Sequence, residues 1–269
     1  MTPDDPGRDA DAYAREVDPN RGEEDAPEAS VRPRRLGEFI GQPHVVDNLR
    51  VYIEAAKSRG DSLDHVLFSG MPGLGKTTLA HLISEELGTG FRVTSGPVLE
   101  KARDLVGLLS DLEDGDVIFI DEVHRLNSVV EEYLYTAMED YYLEWLIDQG
   151  PNARSVKINL KRFTLVAATT REGHLTAPFR ARFGIQEKLE PYPESEMQEI
   201  LVRSARILGI ELAPDGAEVL SRRCRGTPRI ANRYLRRVRD FADVSGGGVV
   251  DAVVAEHALD RLGVDRFGL

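Results

Sequence analysis

The stretch Gly70-Met71-Pro72-Gly73-Leu74-Gly75-Lys76-Thr77 decides the fold. It fits G-x-x-x-x-G-K-[ST] in the context that pattern requires. The apolar run His65-Val66-Leu67-Phe68-Ser69 leads in, and a helix-period segment from Lys76 to Leu87, stopped by Gly88, leads out. Glycines such as Gly73 and Gly75 let the backbone curl so that its N–H groups converge on phosphate oxygens. The N-terminus of the following helix adds positive potential. Lys76 would reach the β- and γ-phosphates, and the Thr77 hydroxyl would enter a Mg2+ shell.

Working outward, strands and helices alternate. Helical spacing runs from Pro43 to Gly60, from Val98 to Leu109 and from Ser128 to Asp140. Short apolar runs at Phe91–Thr94, Asp116–Ile120, Phe163–Thr169 and Ile185–Leu189 read as further strands. Strands without polar alternation, separated by helices, predict an α/β fold with a parallel sheet covered on both faces. One stretch breaks the rhythm. Leu143, Trp145 and Ile147, then Val156, Ile158 and Leu160, repeat at period two around Gly150-Pro151-Asn152, which predicts an inserted β-hairpin. After Pro191 the period stays helical through Glu194–Leu208, Asp215–Arg223, Thr227–Val244 and Val250–Leu262. The expected organisation is a disordered acidic tail over 1–30, a large sheet domain over 31–190 and a small all-helical lid over 191–269.

Composition narrows the class. The chain has 269 residues, a net charge of −12 and one cysteine, Cys224. A lone cysteine excludes an internal disulfide and a cysteine-rich zinc site. No apolar run is long enough to span a bilayer, and the N-terminus lacks the basic-then-apolar pattern of a secretory signal, so a cytoplasmic protein is expected. Residues 1–30 hold ten acids and three arginines, net −7, which leaves −5 for the rest. A nearly balanced body leaves room for basic faces, so bulk charge does not exclude a nucleic-acid partner.

Hydrolysis needs a second site besides the loop, and an acid pair supplies it. Val117-Ile118-Phe119-Ile120-Asp121-Glu122 is an apolar strand ending in two carboxylates. Asp121 can hold Mg2+ through water, and Glu122 can polarise an attacking water as a general base. No N-K-x-D guanine reader occurs, which favours adenine. Leu165-Val166-Ala167-Ala168-Thr169-Thr170 reads as a strand that ends in two hydroxyls, followed by Arg171. Thr170 is placed to orient a γ-phosphate or the lytic water, the alternative being a helix or turn cap.

The order phosphate loop, Asp-Glu strand, Thr-ended strand, arginines and helical lid resembles the AAA+ ATPases. Longer strings narrow this to the RuvB family of Holliday-junction branch-migration motors. They are Arg32-Pro33-Arg34-Arg35-Leu36-Gly37-Glu38-Phe39-Ile40-Gly41-Gln42, Thr94-Ser95-Gly96-Pro97-Val98-Leu99-Glu100-Lys101, Asp121-Glu122-Val123-His124-Arg125-Leu126 and Arg225-Gly226-Thr227-Pro228-Arg229-Ile230-Ala231-Asn232-Arg233. The similarity runs from about residue 31 to the end.

The resemblance implies a homo-hexameric ring on duplex DNA, powered by ATP and Mg2+. Val31 and Arg32 would lie near adenine and ribose, with Ile40 and Gly41 closing that pocket and Tyr192 packing near the base. Gly73, Lys76, Thr77 and Thr78 would hold phosphates and Mg2+. Thr170 would be a first sensor and Arg229 a second, in the lid. Arg182 would be an arginine finger offered to the neighbouring subunit, with Glu139, Asp140 and Tyr141 near the same intersubunit site. A guanidinium supplied in trans would stabilise charge on the transferring phosphoryl group; the alternative for Arg182 and Arg229 is a surface arginine paired with a nearby acid. The 142–161 hairpin would grip a RuvA-type junction-binding protein through Trp145, Leu146 and Ile147, unless its apolar face folds back on its own domain. A RuvC-type resolvase would belong to the same assembly. The family also carries a C-terminal winged-helix domain, and the sequence stops at Leu269 just after the lid, which reads as a fragment or a truncated product. The lid arginines Arg222, Arg223, Arg225, Arg233, Arg236, Arg237 and Arg239 read as solvated faces, intersubunit pairs or phosphate contacts. Competing readings are a clamp loader or replication initiator, a nucleotide-switched adaptor without turnover, and a small-molecule kinase.

Overall fold

The computed structural model describes residues 30–146, 155–245 and 247–269. The reading of 1–30 as a tail falls, Ser30 aside, outside them, as do Ile147 and the turn at Gly150-Pro151-Asn152. Two compact units emerge. One comprises Asp47–Gly70 and Lys76–Lys188. The other comprises Met71–Gly75, Leu189–Leu269 and, of the described residues, 30–46.

The first unit is the sheet. Its strands are β1 (Val66–Ser69), β2 (Phe91–Ser95), β3 (Val117–Asp121), β6 (Thr164–Thr169) and β7 (Ile185–Lys188), hydrogen-bonded in the order β2-β3-β6-β1-β7. All pairings are parallel. Every residue of β1 and β6 is buried, as a sheet covered on both faces demands. The covering helices are α1 (Pro43–Arg59), α2 (Lys76–Leu87), α3 (Ala102–Ser110) and α4 (Ser128–Asp140). The inserted hairpin, β4 (Tyr142–Leu146) with β5 (Ser155–Asn159), is antiparallel. A short helix, α5 (Ala177–Arg180), precedes β7.

The insertion order positions the chemistry. After β3 the chain leaves through α4 and the hairpin, then returns as β6 between β3 and β1. The end of β6 therefore lies beside both Ser69, in register with Thr169, and the strand that ends in Asp121. α3 begins four residues later than periodicity suggests. Val98 and Leu99 donate backbone N–H groups to Ser95, and the helix starts only where the Asp104 carboxylate accepts from Lys101 N at 2.9 Å.

The second unit carries the four expected helices, α6 (Glu194–Leu208), α7 (Pro214–Arg223), α8 (Pro228–Ser245) and α9 (Ala252–Arg261). To this helical lid the structure adds a two-stranded parallel pair, β8 (Glu211–Leu212) with β9 (Val249–Val250). Val250, expected to open the last helix, is therefore a strand residue, and Asp251 caps α9 by accepting from Val254 N.

His65 fastens the first unit. Its Nδ1 accepts from Leu165 N at 2.9 Å, and its Nε2 lies 3.2 Å from the Met138 carbonyl. Nδ1 is thus the acceptor and Nε2–H the donor, an arrangement open only to the neutral ring. Burial holds the imidazole below its ordinary value of 6.5. Because the unfolded chain binds the proton more readily, stability should fall as pH drops through 6.5 toward that lowered value. Denaturant midpoints followed across this window should decline in the parent chain and decline less in His65→Gln.

Candidate nucleotide site

The C-terminal edge of the sheet collects one group of nominated residues. Gly70 N donates to Thr169 O at 3.2 Å, which fixes the start of the phosphate loop to β6. Lys76 is buried at the start of α2, with Nζ donating to Gly70 O at 2.8 Å. Burial pushes its ammonium below the ordinary lysine value, against the opposing field of Asp121. A buried ammonium beside a carboxylate suits an anionic ligand that restores its lost solvation. Thr77 and Thr78 follow in the first turn, both half-buried.

Asp121 ends β3, its Oδ1 accepting from Glu122 N at 2.8 Å. Glu122 has φ +48°, the left-handed region that non-glycine residues rarely enter. Its carboxylate accepts from Arg125 Nη1 at 3.0 Å. Between the acids and β6 lies a link that the motif reading missed. The buried Thr169 hydroxyl is 3.0 Å from His124 Nδ1 and accepts from Arg171 N at 2.9 Å. Thr170, the nominated sensor, is the exposed neighbour. Only the position of His124, three residues past the acid pair's first member, hinted at this tie.

The second unit gathers another group. Met71–Gly75 packs against 189–269 and the segment before Val46. Gly73 has φ +81°, and a Cβ there would stand 2.9 Å from Thr227 Cγ2 and 3.0 Å from Arg229 Cβ. Gly75 has φ +105°, and its missing Cβ would meet the Phe39 ring at 3.0 Å. Tyr192 donates its hydroxyl to Leu74 O at 3.0 Å, and burial holds that phenol protonated by raising its pKa. Gly41 lies against the Tyr192 ring, and the neighbouring Ile40 is half-buried. Val31 is buried and its carbonyl accepts from Arg203 Nη1, with the half-buried Arg32 next in the chain. Val31, Ile40, Gly41, Gly73, Gly75, Tyr192 and Arg229 therefore share one unit. Phe39, quoted in a family string without a role, and Arg203, unnamed by the motif reading, help to build it.

A third group lies at the opposite edge of the sheet. Arg182 stands three residues before β7, whose first residue pairs with Val66 at the N-terminal end of β1. Its Nη2 is 3.1 Å from Glu139 Oε1, and Nη1 donates to Pro178 O at 2.7 Å. Asp140 is exposed. Tyr141, at φ +52°, stacks edge-on to Phe163 with centroids 5.8 Å apart. With strands of four to six residues rising ~3.3 Å each, this edge lies roughly 13–20 Å from the loop and acids.

Family models match both parts of the chain. The family described as "Holliday junction DNA helicase RuvB P-loop domain" matches residues 31–189, and the "RuvB AAA lid domain" matches 192–265. The chain belongs to the RuvB family. It is similar to the "Holliday junction branch migration complex subunit RuvB" of Salinibacter ruber, 57% identical over 260 residues, 97% of this chain and 75% of the relative. The protein of the same description from Myxococcus xanthus is 60% identical over 242 residues, 90% of this chain and 71% of the relative. Among solved structures, the Thermotoga maritima RuvB Holliday junction branch migration motor superposes with a TM-score of 0.81 at 47% identity, covering 89% of this chain and 76% of that one.

Within this RuvB chain the hairpin's attachment differs from a free-standing anchor. Leu143 is fully buried, and the half-buried Trp145 ring lies 6.3 Å from Tyr133 of α4. That face of the hairpin folds back on its own unit. Val156, across from Trp145, stays exposed.

Tyr192→Phe keeps the ring against Gly41 and removes the hydroxyl that satisfies Leu74 O. About 1 kcal/mol of stability should be lost in denaturant titrations.

Proposed function

We propose that this chain is the motor subunit that drives Holliday-junction branch migration in DNA recombination and repair, hydrolysing ATP in a homo-hexameric ring on duplex DNA. The observation that carries the reading is the split between the sheet's two edges. Lys76, Asp121 and Glu122 share one edge and Arg182 occupies the other, which supports a site completed by a guanidinium from a second copy.

The residues fit the ligands. Gly73 and Gly75 hold backbone conformations that only glycine adopts easily, and Lys76 presents the buried ammonium. Adenine is assigned to the second unit's cluster, with Val31, Arg32, Ile40, Gly41 and Tyr192 around it. Thr77 and, through water, Asp121 form an all-oxygen set suited to Mg2+, which when bound neutralises charge between the β- and γ-phosphates. Glu122 takes a proton from water as that water's oxygen bonds to the γ-phosphorus. The bond from γ-phosphorus to the β-bridging oxygen breaks, and ADP and phosphate leave. Thr170 orients the water or γ-phosphate. Lys76, Arg229 from the lid and Arg182 from the neighbour stabilise the charge spreading over the transferring group. Glu139, Asp140 and Tyr141 border the same intersubunit site.

The relatives' description as complex subunits supports partners of the kind the resemblance implies. A RuvA-type junction-binding protein would dock through the 142–161 hairpin, and a RuvC-type resolvase would join the assembly. Among the described residues no helix is long and apolar enough to cross a membrane, in keeping with a cytoplasmic assignment.

Glu122→Gln should lower phosphate release by ~10²–10⁴-fold while ATP still binds. Arg182→Ala should lower it by ~10³–10⁵-fold, again with binding retained. Unchanged turnover in Glu122→Gln removes the assigned base.

A further inference from the structure

An arginine that serves another subunit must be aimed before that subunit arrives. One face of α4 does the aiming. Glu131, Tyr135 and Glu139 recur every four residues and so line the same side of the helix. The Arg182 guanidinium lies over the Tyr135 ring, with Cζ 4.3 Å from the centroid, inside cation–π range. Glu139 and Pro178 O hold its two Nη atoms. Its Nε is buried and has no hydrogen-bond partner, so these three contacts define the plane of the group.

Tyr135 is itself clamped. Its hydroxyl donates to Glu131 and lies 2.9 Å from Thr176 Oγ1. Thr176 Oγ1 donates to the same carboxylate at 2.6 Å and accepts from Phe179 N, capping α5. The Phe179 ring packs 5.7 Å from the Tyr135 ring. Burial and the Glu131 carboxylate hold the phenol above its ordinary pKa, so it stays a donor. One tyrosine thus supports the guanidinium on its face and, through its hydroxyl, pins the turn from which Arg182 extends.

We propose that Tyr135 is the positioning residue for Arg182, setting the direction in which the guanidinium is presented to a neighbouring copy's triphosphate. The proposal rests on the reading of Arg182 as a group that acts between subunits. It places in the reaction a side chain that touches neither nucleotide nor water, and whose loss would be felt at another subunit's site.

Mixed rings separate the two readings. Subunits with Glu122→Gln keep Arg182 but lack the base, and subunits with Arg182→Ala keep the base but lack the finger. Mixing them should restore turnover well above either alone. Absence of that rescue refutes the intersubunit reading of Arg182 itself. Given rescue, the donor subunit is then made Glu122→Gln with Tyr135→Phe or Tyr135→Gln. The Gln donor should restore about 3- to 30-fold less turnover, the range a cation–π contact supplies. The Phe donor, which keeps the platform, should fall between the Gln donor and the parent. KM for ATP in the mixed ring, and the donor's own affinity for an ATP analogue, should not move, because each donor's nucleotide pocket is intact. A Gln donor that rescues as well as Glu122→Gln alone overturns the proposal. Equal losses with Phe and Gln overturn it too, since the ring face would then carry nothing. A loss matched by a lower melting temperature or weaker ring assembly in both variants assigns Tyr135 to folding and also overturns it.

Discussion

A parallel sheet has two edges of different chemistry, and everything functional here follows from that polarity. The C-terminal ends of β1, β3 and β6 turn into the phosphate loop, the acid pair and Thr170. The N-terminal ends receive α4's last turn, the hairpin and the segment carrying Arg182. A strand's length separates the two sets, and no side chain spans it. On the proposed reading, two copies stacked with unlike edges facing each other would place one's arginine beside the other's loop, and turnover would become a property of the contact between subunits.

Backbone strain marks the joints of this arrangement. Among the described residues the non-glycine positive φ values fall at Gln42, Glu122, Tyr141 and Arg225. Each costs on the order of 1 kcal/mol and persists only where neighbours over-determine it. Around Glu122 they do. Gly96 N donates to Asp121 O at 2.8 Å, Arg125 N donates to Glu122 O at 2.8 Å, and a Cβ on Gly96 would collide with Glu122 O. The turn swings the Glu122 side chain out of the alternation of β3. Tyr141 makes the corresponding turn at the other edge, where α4 gives way to the hairpin. Gln42 and Arg225 lie in the second unit, Gln42 bridging Glu190 with both ends of its amide and Arg225 preceding the glycine that crowds the Tyr192 backbone.

Much of this was legible in the amino-acid order. The phosphate loop carries its own geometry in its glycines, and long amphipathic helices such as Lys76–Leu87 announce both ends. The strand order was not legible, because buried parallel strands are uniformly apolar and carry no mark of their neighbours. β8 and β9 escaped notice for another reason: two residues are too few to show a period. Trp145 read either as a partner anchor or as part of a face folded back on its own domain, because alternation says which residues share a face and not what covers it; here its ring lies near Tyr133. The Glu131–Tyr135–Thr176 cluster joins residues up to 45 positions apart, and its logic exists only once α4 and α5 are packed.

The two charged groups assigned to water and phosphate are held in opposite ways, and the difference has a physical reason. Glu122 pairs with Arg125 across a half-exposed contact, the sort of ion pair that contributes little and exchanges easily. In the proposed mechanism its water belongs to the same subunit, and a loosely held carboxylate can leave Arg125 at small cost. Arg182 has no such tolerance. In the proposed mechanism its target belongs to another molecule, so any wobble in its own orientation would add to the uncertainty of the interface. A guanidinium stacked on a ring, held at both Nη atoms and largely withdrawn from solvent is what that geometry requires. Yet every one of those contacts is non-covalent and can be traded for phosphate oxygens when the neighbour closes. Under that mechanism Glu122 stays adjustable throughout, while Arg182 is held until a neighbour's phosphate replaces its contacts.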